Sequence, residues 1–124
     1  MHYLVEIVNR TQRNEAHIVK FIIMMPKRDD MSRDDFMYRW RDVCVPAAKQ
    51  LPGLRRYVIN PVLPAEGGSE LTCQVTAEMW FDDAAAEQAA FVSKPGQEIM
   101  ADLAEFADVN RLVMSVVEEQ VIIA

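Results

Sequence analysis

The chain has 124 residues, a formal net charge of −6 and 51% hydrophobic residues, which predicts one globular domain with a core of its own. The negative charge disfavours nucleic acid as a partner, and no segment has the ~18 consecutive apolar residues of a membrane-spanning helix. Two cysteines, Cys44 and Cys73, are too few for a disulfide scaffold and predict reduced thiols in a cytoplasmic protein.

The N-terminal part of the chain predicts an extension followed by a strand. Residues 9–17 are polar and separate a short apolar stretch, residues 3–8, from the rest. We therefore assign residues 1–17 to an N-terminal extension and residues 18–124 to the domain. The domain opens with an apolar, β-branched stretch at residues 18–25, which is typical of a strand.

The next element is predicted to be a helix that begins at Ser32. Ser32 and Asp35 resemble a capping box, with aspartate in place of the usual glutamate. Apolar side chains then recur at helical spacing and form one face of the helix, namely Phe36, Trp40, Val43, Cys44, Ala47 and Leu51. Pro46 lies within this pattern and predicts a kink or a break. Pro52 and Gly53 end the helix.

The remainder of the chain predicts two strands, a second helix and a last strand. The two strands cover residues 54–63 and 71–81, and residues 64–69 form the loop between them. Asp82 or Asp83 caps the second helix, which Pro95 and Gly96 interrupt before it continues over residues 97–106. The last strand covers residues 111–123.

This βαββαβ order predicts an α+β domain in which both helices cover the same face of a four-stranded antiparallel sheet. The other face should then be polar. The first strand, however, carries Phe21 and Ile23 on one parity and Ile22 and Met24 on the other. Because a sheet that is apolar on both faces must be covered on both, the pattern predicts a homodimer.

Glu78 is the first candidate for chemistry, because it lies between Ala77 and Met79 in an apolar strand. Burial would raise the pKa of its carboxyl group and suit general acid–base work. Lys20 belongs to the strand expected to pair with this one. A Lys20–Glu78 ion pair would satisfy the buried charge and is an alternative, structural role.

Three further residues are candidates, each with a structural alternative. Tyr57 can donate a hydrogen bond to a substrate carbonyl and Arg55 can hold an anion; otherwise they are a wall residue and a solvated cation. Cys44 shares a helix face with Phe36 and Trp40. As a nucleophile it would need a lowered pKa, and the alternative is a buried, inert thiol.

Four segments together resemble the EthD domain family, which is named for a protein associated with ethyl tert-butyl ether degradation: KFII from Lys20, SRDDFMYRWRDVCVP from Ser32, LPGLRRY from Leu51 and AEMWFDD from Ala77. The likeness covers about residues 18–123. It implies a ferredoxin-like fold whose two copies form a dimeric α+β barrel. Related barrels include isomerases, decarboxylases, cofactor-free monooxygenases and haem-degrading enzymes, so the fold alone leaves the function open.

One departure from the family pattern concerns the end of the first helix. Family members usually read Trp-x-x-x-His-x-Pro, whereas this chain has Trp40, Cys44 and Pro46 at those positions. The histidines of the chain, His2 and His17, precede the matching region. The departure argues against proton transfer by a histidine at this position and removes the obvious axial ligand for haem.

The sequence therefore supports two alternative functions. One is a cofactor-independent isomerase, lyase or decarboxylase that acts on an apolar carbonyl or aromatic compound of a degradation or secondary-metabolite pathway, with Glu78 transferring a proton and Tyr57 polarising an oxygen. The other is a non-catalytic accessory or ligand-binding dimer. No cofactor or metal is expected, since the chain lacks a glycine-rich phosphate loop and a Cys/His cluster. The pocket is predicted between helix and sheet. The predicted catalytic residues are Glu78, Tyr57 and Cys44. The residues predicted to bind the substrate are Lys20, Met24, Phe36, Trp40, Arg55 and Trp80.

Overall fold

A computed structural model describes residues 18–64 and 71–124 of the chain. The predicted N-terminal extension, both histidines and the glycines of the 64–69 loop lie outside the described residues. None of the helices in these two ranges is long and apolar enough to cross a membrane.

The described residues form one antiparallel sheet in the order β2-β3-β1-β4. The central pair, β1 and β3, consists of the two most apolar strands, as expected for positions that are covered by neighbours on both edges. The strands are β1 (Val19–Met25), β2 (Arg56–Pro61), β3 (Val75–Phe81) and β4 (Val113–Glu118). The predicted strands are confirmed in number and order. Each observed strand is shorter than the range predicted for it.

The first helical segment begins as predicted, at Ser32, whose side chain accepts a hydrogen bond from the Asp35 amide at 3.1 Å. It consists of α1 (Arg33–Arg39), a π-helical turn (Trp40–Cys44) and α2 (Val45–Ala48). The chain stays helical through Pro46, so a break there is wrong. Proline lacks an amide hydrogen and its ring crowds the carbonyl four residues earlier. The π-helical turn directly before it shifts the hydrogen bonding to a wider ring, in which the Val45 amide donates to the Trp40 carbonyl.

The second helical segment is divided at Ser93, slightly before the predicted interruption. Asp83 caps α3 (Ala84–Val92) by accepting a hydrogen bond from the Ala86 amide at 2.7 Å. Ser93 then caps α4 (Lys94–Leu103). Pro95 lies in the first turn of α4, where its missing amide hydrogen costs nothing.

The helices cover one face of the sheet and form the core with it. The sheet contributes Phe21, Ile23 and Met25 of β1 and the matching positions of β3, and the helices contribute the fully buried Phe36 and Trp40. The architecture confirms the ferredoxin-like α+β fold. We call the opposite face, which none of the described helices covers, the open face. It carries Lys20, Ile22, Met24, Arg56, Val58, Asn60, Thr76, Glu78, Trp80, Val113, Ser115 and Val117.

Candidate functional site

A small cavity lies between the helices and the covered face of the sheet. Its volume is about 20 Å³, which is room for about one water molecule. The lining is almost entirely apolar and includes Phe21, Phe91 and Met100. Three of the lining residues carry a polar atom in the side chain, namely Trp40, Cys44 and Tyr57.

Trp40 and Tyr57 present hydrogen-bonding groups that remain unused. The Trp40 indole nitrogen is buried and has no hydrogen-bond partner among the described residues. The Tyr57 hydroxyl likewise makes no hydrogen bond within the part of the chain that the structure describes. Burial, with a smaller effect of the nearby Cys44, raises the pKa of Tyr57, so the phenol stays protonated at neutral pH. An unpaired buried donor costs about 1–3 kcal/mol, and a ligand oxygen would remove that cost.

Cys44 lines the same cavity from the π-helical turn. Burial, and to a smaller extent the Asp102 carboxylate, raises the pKa of the Cys44 thiol to about 11. Asp102 is itself held by Arg39, with 2.5 Å between Nη2 and Oδ1. At neutral pH Cys44 is therefore a protonated thiol, which favours the inert alternative over a nucleophile.

Lys20 and Glu78 form the predicted ion pair on the open face. Lys20 Nζ lies 3.0 Å from Glu78 Oε1 and 3.3 Å from Glu119 Oε1, while Asn60 donates to Glu78 Oε2 at 3.4 Å. The expected rise in the Glu78 pKa is wrong, because the hydrogen bond from Lys20 lowers this pKa and outweighs desolvation. Glu78 is therefore an ionised, partnered carboxylate, which suits the structural alternative.

The residues predicted to share one pocket lie on two faces of the sheet. Tyr57 is paired with Met79 and faces the helices, whereas Glu78 is paired with Val58 and belongs to the open face. The predicted partnership of Glu78 with Tyr57 is therefore wrong. Side chains alternate between faces along a strand, and the predicted set combined residues of both parities. Met24, Lys20 and Trp80 lie on the open face with Glu78.

The other predicted binding residues also lie away from the cavity. Trp80 is buried under two cations, with Arg56 Cζ at 4.6 Å and Lys20 Nζ at 5.2 Å from the ring centroid. Arg55 precedes β2 and pairs with Asp82 at 2.8 Å in an exposed position. Phe36 is fully buried in the core, which indicates a structural role. Of the nine predicted residues, the structure brings together Trp40, Cys44 and Tyr57 at the cavity and Lys20, Glu78 and Trp80 on the open face.

Glu87 of α3 was missed by the sequence analysis. It is only 8% exposed, and burial raises the pKa of its carboxyl group. A signal was available, because Glu87 lies three residues before Ala90 and four before Phe91, and side chains at this spacing share a helix face. The alanine-rich composition around it concealed which face of α3 is buried.

The sequence model of the EthD domain matches residues 28–110, which is more than half of the chain. This chain belongs to the EthD domain family. The π-helical turn that carries Trp40 and Cys44 lies inside the matched region. Trp40 and Cys44 line the cavity, so part of the region matched by the EthD domain contributes to it.

Solved structures confirm the fold of this EthD domain. An EthD family protein from Bacillus halodurans has a TM-score of 0.72 and 24% identity, covering 83% of this chain and 99% of that one. A dimeric ferredoxin-like protein of unknown function from Thermobifida fusca has a TM-score of 0.68 and 12% identity over 85% and 93% of the two chains. SnoaB, a cofactor-independent oxygenase from Streptomyces nogalater, has a TM-score of 0.61 and 10% identity over 85% and 95%. A comparison with curated proteins finds no match.

Proposed function

We propose that this EthD-family protein binds a small apolar molecule with a carbonyl or hydroxyl oxygen, as part of a degradation or secondary-metabolite pathway in the cytoplasm. The observation that carries the proposal is the buried indole N–H of Trp40, which has no acceptor among the described residues. Trp40 and Tyr57 both line the apolar cavity. Apolar walls with a few oriented polar groups are typical of small-molecule sites. The likeness to SnoaB, a cofactor-independent oxygenase, supports a small-molecule role.

The cavity must expand to accept such a ligand, since ligand pockets usually measure about 300–1,000 Å³. A groove of about 300 Å³ lies beside it and shares Phe21, Phe91 and Met100 with the cavity lining. Met100 is partly exposed, and a methionine side chain can adopt several conformations at little cost. Displacement of Met100 would join the groove to the cavity.

Binding of 2-tetralone, an apolar aromatic ketone, is expected to test the site. In a Trp80→Phe background, Trp40 is the remaining tryptophan, so its fluorescence reports occupancy of the cavity. Tyr57→Phe should weaken binding about fivefold, which corresponds to one lost hydrogen bond of about 1 kcal/mol.

Tyr38→Phe is the matched control, because Tyr38 is 68% exposed on α1 and its loss should leave the affinity unchanged. A fluorescence signal that does not saturate with 2-tetralone would contradict the proposed function.

The proposal includes a homodimer in which two open faces pack against each other. Met24 and Val113 are 39% and 51% exposed on this face and lie on adjacent strands. Apolar residues on a face that none of the described helices covers favour a second copy as the cover. The interface should exceed the ~1,600 Å² of a standard complex. The similar protein from Thermobifida fusca is described as dimeric, which supports this arrangement.

Met24→Lys is expected to dissociate the dimer, because it places an unpaired charge in the buried interface. Sedimentation equilibrium should show a dimer for the unmodified protein and at least a tenfold weaker association for this variant. Val92→Lys, at an exposed position of α3, should remain dimeric. A stable monomer of the unmodified protein at micromolar concentration would contradict the dimer.

A further inference from the structure

The groove beside the cavity contains one buried carboxyl group. Glu87 lines it together with Phe21, Phe91, Met100, Met114 and Val116, which are all apolar, and with Ser115. The side chain of Glu87 has no hydrogen-bond or ion-pair partner among the described residues. No cation lines the groove within the described part of the chain. Glu87 thus differs from Glu78, which is neutralised by Lys20.

The groove and the cavity are adjacent compartments of one site. Phe21, Phe91 and Met100 line both of them, so these three side chains form the wall between the compartments. A ligand whose oxygen reaches Trp40 and Tyr57 would extend through this wall into the groove. Its remaining carbon atoms would then lie beside Glu87.

We propose that Glu87 is a catalytic proton-transfer residue, which acts on an apolar ketone with an acidic C–H bond next to its carbonyl group. This inference rests on the proposed ligand binding and adds a reaction to it. The Glu87 carboxylate takes the proton from the α-carbon, the C–H electron pair forms a C=C bond, and the carbonyl π electrons move to the oxygen. The enolate oxygen accepts hydrogen bonds from the Trp40 N–H and the Tyr57 O–H.

The reaction closes without a further reactant. The proton on the Glu87 carboxyl group can be replaced by one from the solvent, and its return to the same carbon then completes an exchange. Return of the proton to a conjugated carbon gives an isomer instead. Burial raises the pKa of Glu87, and this makes its carboxylate a stronger base. Cys44 and Tyr57 are the other titratable groups of the site. Both are protonated at neutral pH, so neither can take a proton from the ligand.

Exchange of the α-protons of 2-tetralone in deuterated water, followed by NMR, tests the reaction. The unmodified protein should accelerate this exchange, and Glu87→Gln should reduce the accelerated rate roughly a hundredfold, as expected for the loss of a general base. Binding of 2-tetralone, measured by Trp40 fluorescence, should persist in this variant. Glu98→Gln, at an exposed position of α4, is the matched control and should retain the full rate.

A second measurement needs no substrate. Dicyclohexylcarbodiimide is an apolar reagent to which a protonated carboxyl group adds across one C=N bond, and the adduct rearranges to a stable N-acylurea that retains all atoms of the reagent. Peptide mass spectrometry of the treated protein should find Glu87 labelled before Glu98. Such a result would show that apolar molecules enter the groove and reach the carboxyl group.

The outcomes separate the two proposals. If the unmodified protein does not bind 2-tetralone, the proposed function fails. If it binds 2-tetralone but exchange is equally fast with and without Glu87, only the catalytic role of Glu87 fails. Labelling of Glu98 without labelling of Glu87 would also overturn that role, because the groove would then be closed to apolar molecules.

Discussion

Gly96→Ala is expected to destabilise the protein by about 3 kcal/mol or more, at the upper end of overpacking effects. A Cβ atom at Gly96 would lie 2.3 Å from the Ala90 carbonyl oxygen and 2.6 Å from the Phe91 Cα. Both are backbone atoms, so no side-chain rotation can relieve the contact. The end of α3 would have to move away from the start of α4, and urea denaturation should show a clearly lower midpoint.

The same variant is expected to impair the site, because the displaced segment carries Phe91 and follows Glu87 in α3. Binding of 2-tetralone should weaken together with stability. Glu98→Ala is the matched control in α4, since Glu98 is exposed and such changes usually stay within about 0.5 kcal/mol. Equal unfolding midpoints for Gly96→Ala and the unmodified protein would show that the two helices are less tightly joined than the structure indicates.

Glu78→Ala is expected to destabilise the protein by about 2 kcal/mol at neutral pH. The loss should be below the ~3–5 kcal/mol of a fully buried pair, because the Glu78 side chain is 25% exposed and Lys20 keeps its contact with Glu119 at 3.3 Å. Glu119→Ala, which removes the more exposed partner of the same lysine, should cost less than about 1 kcal/mol.

The effect of Glu78→Ala should depend on pH in a defined direction. The hydrogen bond from Lys20 lowers the pKa of Glu78 in the folded state below the ordinary value of 4.5 for a glutamate side chain. Its contribution to stability is therefore present above pH 4.5 and is lost as the pH falls through the lower folded value. Denaturation curves of the two proteins should converge in acid, and a difference that stays constant into strong acid would contradict the role of the ion pair.

Local sequence features predicted much of the fold. The Ser32 and Asp83 caps, the order of the strands and the topology follow from interactions between residues close in sequence or from strand periodicity. The Lys20–Glu78 pair was also predictable, since the parity of β3 placed Glu78 away from Phe81 and the topology made β1 its neighbour. These features depend on periods of 2 and 3.6 residues, which the amino-acid order records directly.

The amino-acid sequence by itself thus determined the family, the topology and the two faces of each strand. The tertiary structure decided which face forms the cavity, and this separated Tyr57 from Glu78, because a strand sends neighbouring side chains to opposite sides. It also showed that Glu87 is buried without a partner in the described structure, while Glu78 is held by Lys20. The environment of a carboxyl group is set by residues that are distant in sequence. Only the packing could therefore decide which of the two glutamates, Glu78 or Glu87, has a raised pKa.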